Sequence, residues 1–195
     1  MKIFINEKKF NATEGETIIQ LADREGIHIP RFCYHKHLSV VASCRMCLVD
    51  IEGVKHAQPA CSTPLREDMK IHTNSQKTKI AQKSSMEFLL INHPLDCPLC
   101  DQGGECELQD ISLEYGDSHS KYMQLKRVVI DKDISPLIST DMTRCIHCSR
   151  CVRFGEEISN VKELGLLNRG EEMKIDSFIE KSVTSELSGN MIDLC

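Results

Sequence analysis

Cys145-Ile146-His147-Cys148-Ser149-Arg150-Cys151 sets three cysteines at intervals of three, and Cys195 stands forty-four residues further on. A C-x2-C-x2-C run brings three thiolates to the corners of a four-iron cubane, and a remote cysteine supplies the fourth ligand. Zinc sites seldom use three cysteines at this pitch. The spacing therefore predicts a four-iron cluster on Cys145, Cys148, Cys151 and Cys195. His147, inside the run, reads as a solvated spacer.

Two further sets lie upstream. Cys97, Cys100 and Cys106 leave a cubane one ligand short, and His93 stands four residues before Cys97. Imidazole can replace thiolate on iron. His93 also precedes Pro94, which forces it out of helical geometry and leaves it free to point into the cysteine loop. The alternative is a histidine that merely ends a helix. Nearest the N-terminus come Cys33, Cys44, Cys47 and Cys61, a variant of the plant-type C-x4-C-x2-C pattern with a longer first gap. Only Cys44 and Cys47 form a C-x2-C pair, whereas zinc ribbons use two, so the spacing favours a two-iron cluster. His35 and His37 read as surface residues, because that set already has four thiolates.

Composition supports metal over disulfides. The chain has 195 residues, a formal charge of −5, eleven cysteines, nine aromatic residues and no Trp. No basic block marks a nucleic-acid surface. Met1-Lys2-Ile3-Phe4-Ile5-Asn6-Glu7 meets charge too early for a secretory signal, and Phe88-Leu89-Leu90-Ile91 is among the longest apolar runs, far short of a membrane span. A cytosolic chain follows, in which clustered cysteines bind metal. An odd total cannot pair completely within one molecule.

Patterning predicts an α+β fold. Ile3 and Ile5 alternate with polar residues, Asn6-Glu7-Lys8 makes a turn, and Phe10 returns. Thr17 caps a helix carrying Ile18, Leu21 and Ala22 that Gly26 closes, and Leu48–Glu52 reads as a strand ending at Gly53. This helix is expected to lie across a mixed sheet. Ser75 caps a second helix whose stripe is Ile80, Ser84, Phe88 and Ile91. A short third helix carries Leu108, Ile111 and Tyr115 up to Gly116. Polar residues from Asp117 to Ser135 read as a linker, with a strand candidate at Val128-Val129-Ile130.

The ordered ligand sets resemble the N-terminal region of the large iron–sulfur subunit (the G subunit) of NADH–quinone oxidoreductase, respiratory complex I. The stretches that carry the resemblance are Cys44-Arg45-Met46-Cys47, Asp96-Cys97-Pro98-Leu99-Cys100-Asp101-Gln102-Gly103-Gly104-Glu105-Cys106, Met142-Thr143-Arg144-Cys145-Ile146-His147-Cys148, Glu186-Leu187-Ser188-Gly189-Asn190 and Ile192-Asp193-Leu194-Cys195. It covers essentially the whole chain. The resemblance implies a [2Fe-2S] cluster on Cys33, Cys44, Cys47 and Cys61 in a ferredoxin-like (β-grasp) domain, residues 1–78. It implies a [4Fe-4S] cluster on His93, Cys97, Cys100 and Cys106 in a small helical segment, 79–118. After a linker, 119–137, a second [4Fe-4S] cluster is expected on Cys145, Cys148, Cys151 and Cys195 in a domain spanning 138–195. Such a chain sits in the peripheral arm on the cytoplasmic side of the inner membrane. It takes electrons from an NADH-oxidising flavin subunit and passes them through a further ferredoxin-like subunit toward quinone. In that family a proline and a long C-terminal part follow the last cysteine, so this chain reads as a fragment whose third cluster is labile.

No G-x-G-x-x-G or phosphate loop is present, so no nucleotide site is expected in this chain, and by the resemblance no quinone site either. The small diaphorase subunit of an NAD-linked hydrogenase is the alternative relay, and a zinc-stapled scaffold the alternative without redox chemistry. Arg31, Arg45, Arg144, Arg150 and Arg153 each lie within two residues of a cysteine, whereas no lysine does. A weakly hydrated, permanently charged fork suits a half-buried anionic cluster. All five flank the first and third sets. Asp96, Asp101, Glu105 and Glu107 surround the middle set without a nearby cation in sequence, which predicts that its cluster is the hardest to reduce.

Overall fold

The computed structural model describes residues 1–177 and 182–195. Strand β1 (Lys2–Ile5) folds back antiparallel onto β2 (Lys8–Asn11). Asn6 and Glu7 form the turn, both at left-handed φ (+48° and +69°), the two-residue geometry whose twist matches the flanking strands. Lys8, expected in the turn, opens the second strand. Helix α1 (Ile18–Arg24) follows Thr17, whose N–H donates to Gln20 Oε1 at 2.9 Å, and Gly26 at φ +68° turns the chain away. Strands β3 (Leu48–Ile51), β4 (Gln58–Pro59) and β5 (Lys70–His72) complete a sheet ordered β2-β1-β5-β3-β4. Only the central β1–β5 pair is parallel, so the sheet is mixed. Ile3, Ile5 and Ile71 from the sheet bury against Ile18, Ile19 and Leu21 of α1, and Cys47 and Cys61 belong to the same core.

Helix α2 (Gln76–Leu90) begins where Ser75 Oγ accepts from the Thr78 N–H at 3.1 Å. Its expected apolar stripe is wrong. Ile80, Ser84 and Phe88 are exposed, and the buried face is Thr78, Gln82 and Met86. That face is largely polar because it finishes backbone hydrogen bonds at the sheet. The Thr78 hydroxyl accepts from Asp50 N–H (3.0 Å) and donates to His72 O (2.8 Å), while Gln82 Nε2 donates to Leu48 O (3.1 Å). Helix α3 (Glu107–Tyr115) buries Leu108 and Ile111 and is followed by Gly116, as its pattern predicts.

Val128-Val129-Ile130 is not a strand. Thr143 Oγ1 bonds both the N–H and the carbonyl of Val129 at 3.0 Å, and Val128 and Ile130 are exposed. The strand is β6 (Lys132–Ser135), inside the stretch read as linker, and it pairs with β7 (Ile138–Thr140). Helix α4 (Arg150–Glu157), the ribbon β8 (Leu164–Leu167) with β9 (Lys174–Ser177), and α5 (Asn190–Leu194) complete the described elements. Ile134, Ile138, Val152, Phe154, Leu164, Ile175 and Met191 form a second core among them. Among the described residues no helix is long and apolar enough to cross a membrane.

Candidate metal centre

Cys33, Cys44, Cys47 and Cys61 are all buried and lie in one chain of contact. The Cys33 N–H donates to Cys44 Sγ at 3.4 Å, the Cys33 sulfur also meets Cys61, and Cys61 meets Cys47. The loop turns inward at Ala42 and Arg45, both at left-handed φ. Cys61 is anchored next to α1, because the preceding Ala60 bonds the Cys47 carbonyl (2.9 Å) and accepts from the Ile19 N–H (3.1 Å). Neighbouring thiols that donate to Cys33 pull its pKa down, and Cys61 does the same for Cys47. Cys44 and Cys61 are pushed up by the sulfurs they serve and by burial. Four buried thiols packed this closely form, once their protons leave, an anionic donor set that suits a polynuclear cationic core.

His93 follows the end of α2, where its N–H donates to Leu90 O at 3.2 Å. It is half-buried, and its Nδ1 is buried without a hydrogen-bond partner. Burial pushes the imidazole pKa down, against the Arg144 carbonyl, which favours protonation. A neutral ring with an orphaned nitrogen is fit to ligate. The Cys97 carbonyl accepts from the Cys100 N–H (3.2 Å) and the Cys100 carbonyl from the Gly103 N–H (3.0 Å). A Cβ on Gly103 would stand 2.8 Å from the Cys97 oxygen and 3.1 Å from that of Cys100, so the loop closes only around glycine. Cys97, Cys100 and Cys106 are half-buried; no thiol–thiol hydrogen bond joins them among the described residues.

Cys145, Cys151 and Cys195 lie close enough to Cys148 for each of the three to feel its charge. His147 and Ser149 both adopt left-handed φ (+55° and +60°), which curls the run, and the His147 N–H donates to Cys145 Sγ at 3.4 Å. Burial pushes the Cys145 thiol up to about 11 and that of Cys151 to about 12. Cys195 is exposed as a residue, yet burial of its thiol also raises its pKa. His147 is not a solvated spacer. It is half-buried, and Arg127 Nη2 donates to its Nε2 at 3.2 Å, since a guanidinium can only donate. Arg127 also donates to the carbonyls of Glu171 and Met173, and its N–H to Asn92 Oδ1, so it ties the β8–β9 ribbon to the residue beside His93.

The three sets meet. Cys33 and Cys44 from the first, Cys106 from the second and Cys148 from the third pack around Phe32, Met46, Met86, Leu108 and Ile111. Among the described residues no three His, Cys, Asp or Glu donors close around a single-ion point.

The flanking arginines divide by role. Arg31 forks onto Asp23 (2.5 and 2.6 Å) and lies over the Tyr34 ring, and Arg45 is exposed. Arg144 pairs with Asp96 (2.8 Å) and Asp141 (2.9 Å), and Arg150 with Glu107 (3.4 Å). Two of the four acids around the middle set are thus neutralised by arginines from the third, which a sequence window of two residues cannot reveal. The expectation that the middle cluster is hardest to reduce then rests on Asp101 and Glu105, both exposed.

Three family models match the chain: a 2Fe-2S iron-sulfur cluster binding domain over residues 1–76, the NADH-ubiquinone oxidoreductase-G iron-sulfur binding region over 82–121, and the NADH-quinone oxidoreductase subunit 3 ferredoxin-like domain over 135–195. Over all 195 residues the chain is 49% identical to the NADH-ubiquinone oxidoreductase 75 kDa subunit of Reclinomonas americana. It is 47% identical to the mitochondrial NADH dehydrogenase [ubiquinone] iron-sulfur protein 1 of Solanum tuberosum and to the NADH-quinone oxidoreductase G subunit of Rickettsia typhi. The chain spans 28%, 26% and 29% of the length of these relatives. In fold it resembles a chain of an NAD+-reducing [NiFe]-hydrogenase crystallised in the H2-reduced state, with a TM-score of 0.82 at 24% identity over 90% of this chain and 74% of that one. Iron–sulfur models along nearly all of its length, and relatives that match it from end to end, place the chain in the family of the NADH-quinone oxidoreductase 75 kDa (G) subunit, as its iron–sulfur region.

Proposed function

We propose that this chain is an electron relay within an NADH:quinone oxidoreductase (translocase), holding three iron–sulfur clusters. Cys33, Cys44, Cys47 and Cys61 would hold a [2Fe-2S] cluster. His93, Cys97, Cys100 and Cys106 would hold a [4Fe-4S] cluster, and Cys145, Cys148, Cys151 and Cys195 a second. When bound, such clusters supply one-electron storage and transfer, at potentials set by net charge, hydrogen bonds and solvent exposure. The residues around them exclude water, hold the ligands and place charge. The division follows the sets: a β-grasp ferredoxin-like domain (1–78), a segment with one histidine and three cysteine ligands (79–118), a linker (119–137) and a second cluster domain (138–195).

One observation carries this reading. Thiols of all three sets pack around a single apolar cluster, so the sites are neighbours rather than beads on a string. Neighbouring one-electron sites suit a relay, whereas a zinc scaffold gains nothing from such proximity. By relation to the subunits named above, the donor is an NADH-oxidising flavin subunit and the acceptor a further ferredoxin-like iron–sulfur subunit, on the cytoplasmic side of the inner membrane. Anaerobic reconstitution of the 195-residue chain supplies the test. It should give a brown protein with iron and acid-labile sulfide for one two-iron and two four-iron clusters, and three distinguishable EPR signals on reduction. A colourless protein holding zinc in place of iron would overturn it.

A further inference from the structure

Arg153 differs from the other arginines near the ligand sets. It lies in α4, is 6% exposed and is absent from the ion pairs among the described residues. Its fork ends on neutral oxygens instead: Nη1 donates to Ser39 O (2.6 Å), Nη2 to Cys33 O (2.5 Å) and Cys148 O (3.2 Å), and Nε to Ser149 Oγ (3.3 Å). One guanidinium nitrogen therefore joins the backbone of a first-set cysteine to that of a third-set cysteine, 115 positions apart in sequence. The carboxylate of Glu157 acts from beyond Ser39. It accepts from the Ser39 N–H (2.7 Å) and hydroxyl, and it is itself exposed.

A buried cation without a paired anion is costly, and carbonyl dipoles offset that cost only in part. A lysine ammonium, a point charge with three donors, could not reach all four acceptors, and water cannot reach the group freely. Glu157, the carboxylate that acts on Arg153, is exposed and open to screening, which leaves room for a second negative charge between the first and third sets. Thiolate-ligated clusters are net anions, and hydrogen bonding and nearby charge set their potentials.

We propose that Arg153 is a positioning residue shared by two sites: its buried charge is the common counter-ion of the first and third clusters and raises the reduction potentials of both together. This rests on the three-cluster reading given above. Burial also removes most screening, so salt leaves the effect in place. The middle site is served by Arg144 through Asp96, and Arg153 makes no hydrogen bond to its residues.

The test is a redox titration followed by EPR on the reconstituted full chain, wild type against Arg153→Gln and Arg153→Lys. In Arg153→Gln the first and third clusters should both shift to lower potential while the middle one stays. Arg153→Lys, which keeps the charge, should recover most of both shifts. Unmoved potentials with the clusters present would overturn the proposal, as would an equal shift of all three. Should Arg153→Gln fail to hold its clusters, the pattern of loss decides. Joint loss of the first and third signals with the middle retained supports the shared role, and loss of one alone or of all three overturns it. A wild-type chain that takes up no iron would instead overturn the relay reading, so the two failures are distinguishable.

Discussion

Gly103 shows how a missing methyl group can decide a metal site. Its Cβ position is blocked by the Cys97 and Cys100 carbonyls, which are fixed by backbone hydrogen bonds and cannot swing aside as a flexible side chain could. Gly103→Ala must therefore open the Cys97–Cys106 loop. It should abolish the middle four-iron EPR signal while the other two persist; retention of all three would show that the loop yields. Cys47 makes the complementary case. It is fully buried and meets Cys61, so Cys47→Ser should remove the two-iron signal and leave both four-iron signals. Loss of a four-iron signal instead would mean the ligands are grouped wrongly. At this scale spacing alone sorts the cysteines into the three proposed sets. The orphaned Nδ1 of His93 was not legible in the sequence, since only a fold shows which polar atoms lack partners.

Among the elements, α2 is where sequence patterning and packing part. Ile80 and Phe88 suggested the buried face, yet Thr78 and Gln82 occupy it because β3 and β5 leave backbone groups that water cannot reach. Periodicity ranks residues by hydropathy and is blind to unpaired backbone. Thr78→Val keeps the shape but strands the Asp50 N–H and the His72 carbonyl, and should destabilise by about 2 kcal/mol. Ile80→Thr, on the exposed face, should change stability by no more than about 0.5 kcal/mol. Denaturant melts that reversed this order would restore the apolar stripe. Beside Thr78, Lys77 bonds Asp50 at 2.7 Å and, with Ser75, holds that carboxyl below its ordinary range against burial. A depressed carboxyl stabilises the fold above its unfolded pKa, and the contribution disappears as pH falls through the folded value. Thermal midpoints should accordingly fall below pH 4. Asp50→Asn should cost about 1 kcal/mol at pH 7 and flatten that acid limb; an unchanged limb would show that Asp50 does not contribute.

For the whole molecule, the order of the three sets, the α+β class and the hairpin, helix and mixed sheet of the first seventy-odd residues could be read from the sequence. What joins them could not. The Arg127 tie and the pairs Arg144–Asp96 and Arg150–Glu107 connect residues 20 to 48 positions apart, and no local pattern records them. Their uneven distribution also bears on what happens without metal. The first seventy-odd residues hold an aliphatic core of Ile3, Ile5, Ile18, Ile19, Leu21, Val49 and Ile71, all fully buried and cross-braced by a five-stranded sheet. Residues 91–106 have one short turn of helix, half-buried cysteines and exposed Leu95 and Leu99. Local stability follows buried apolar contact and protected hydrogen bonds, and a segment without them depends on its metal to stay folded. Removing iron with a chelator under reducing conditions should therefore unfold the chain unevenly. Hydrogen exchange would show slow amides surviving in β1, β3 and β5 while those of 91–106 exchange as in an open chain. Comparable protection in the two regions would mean that the cysteine loop holds itself without metal, and uniform loss would mean that the aliphatic core depends on the clusters too.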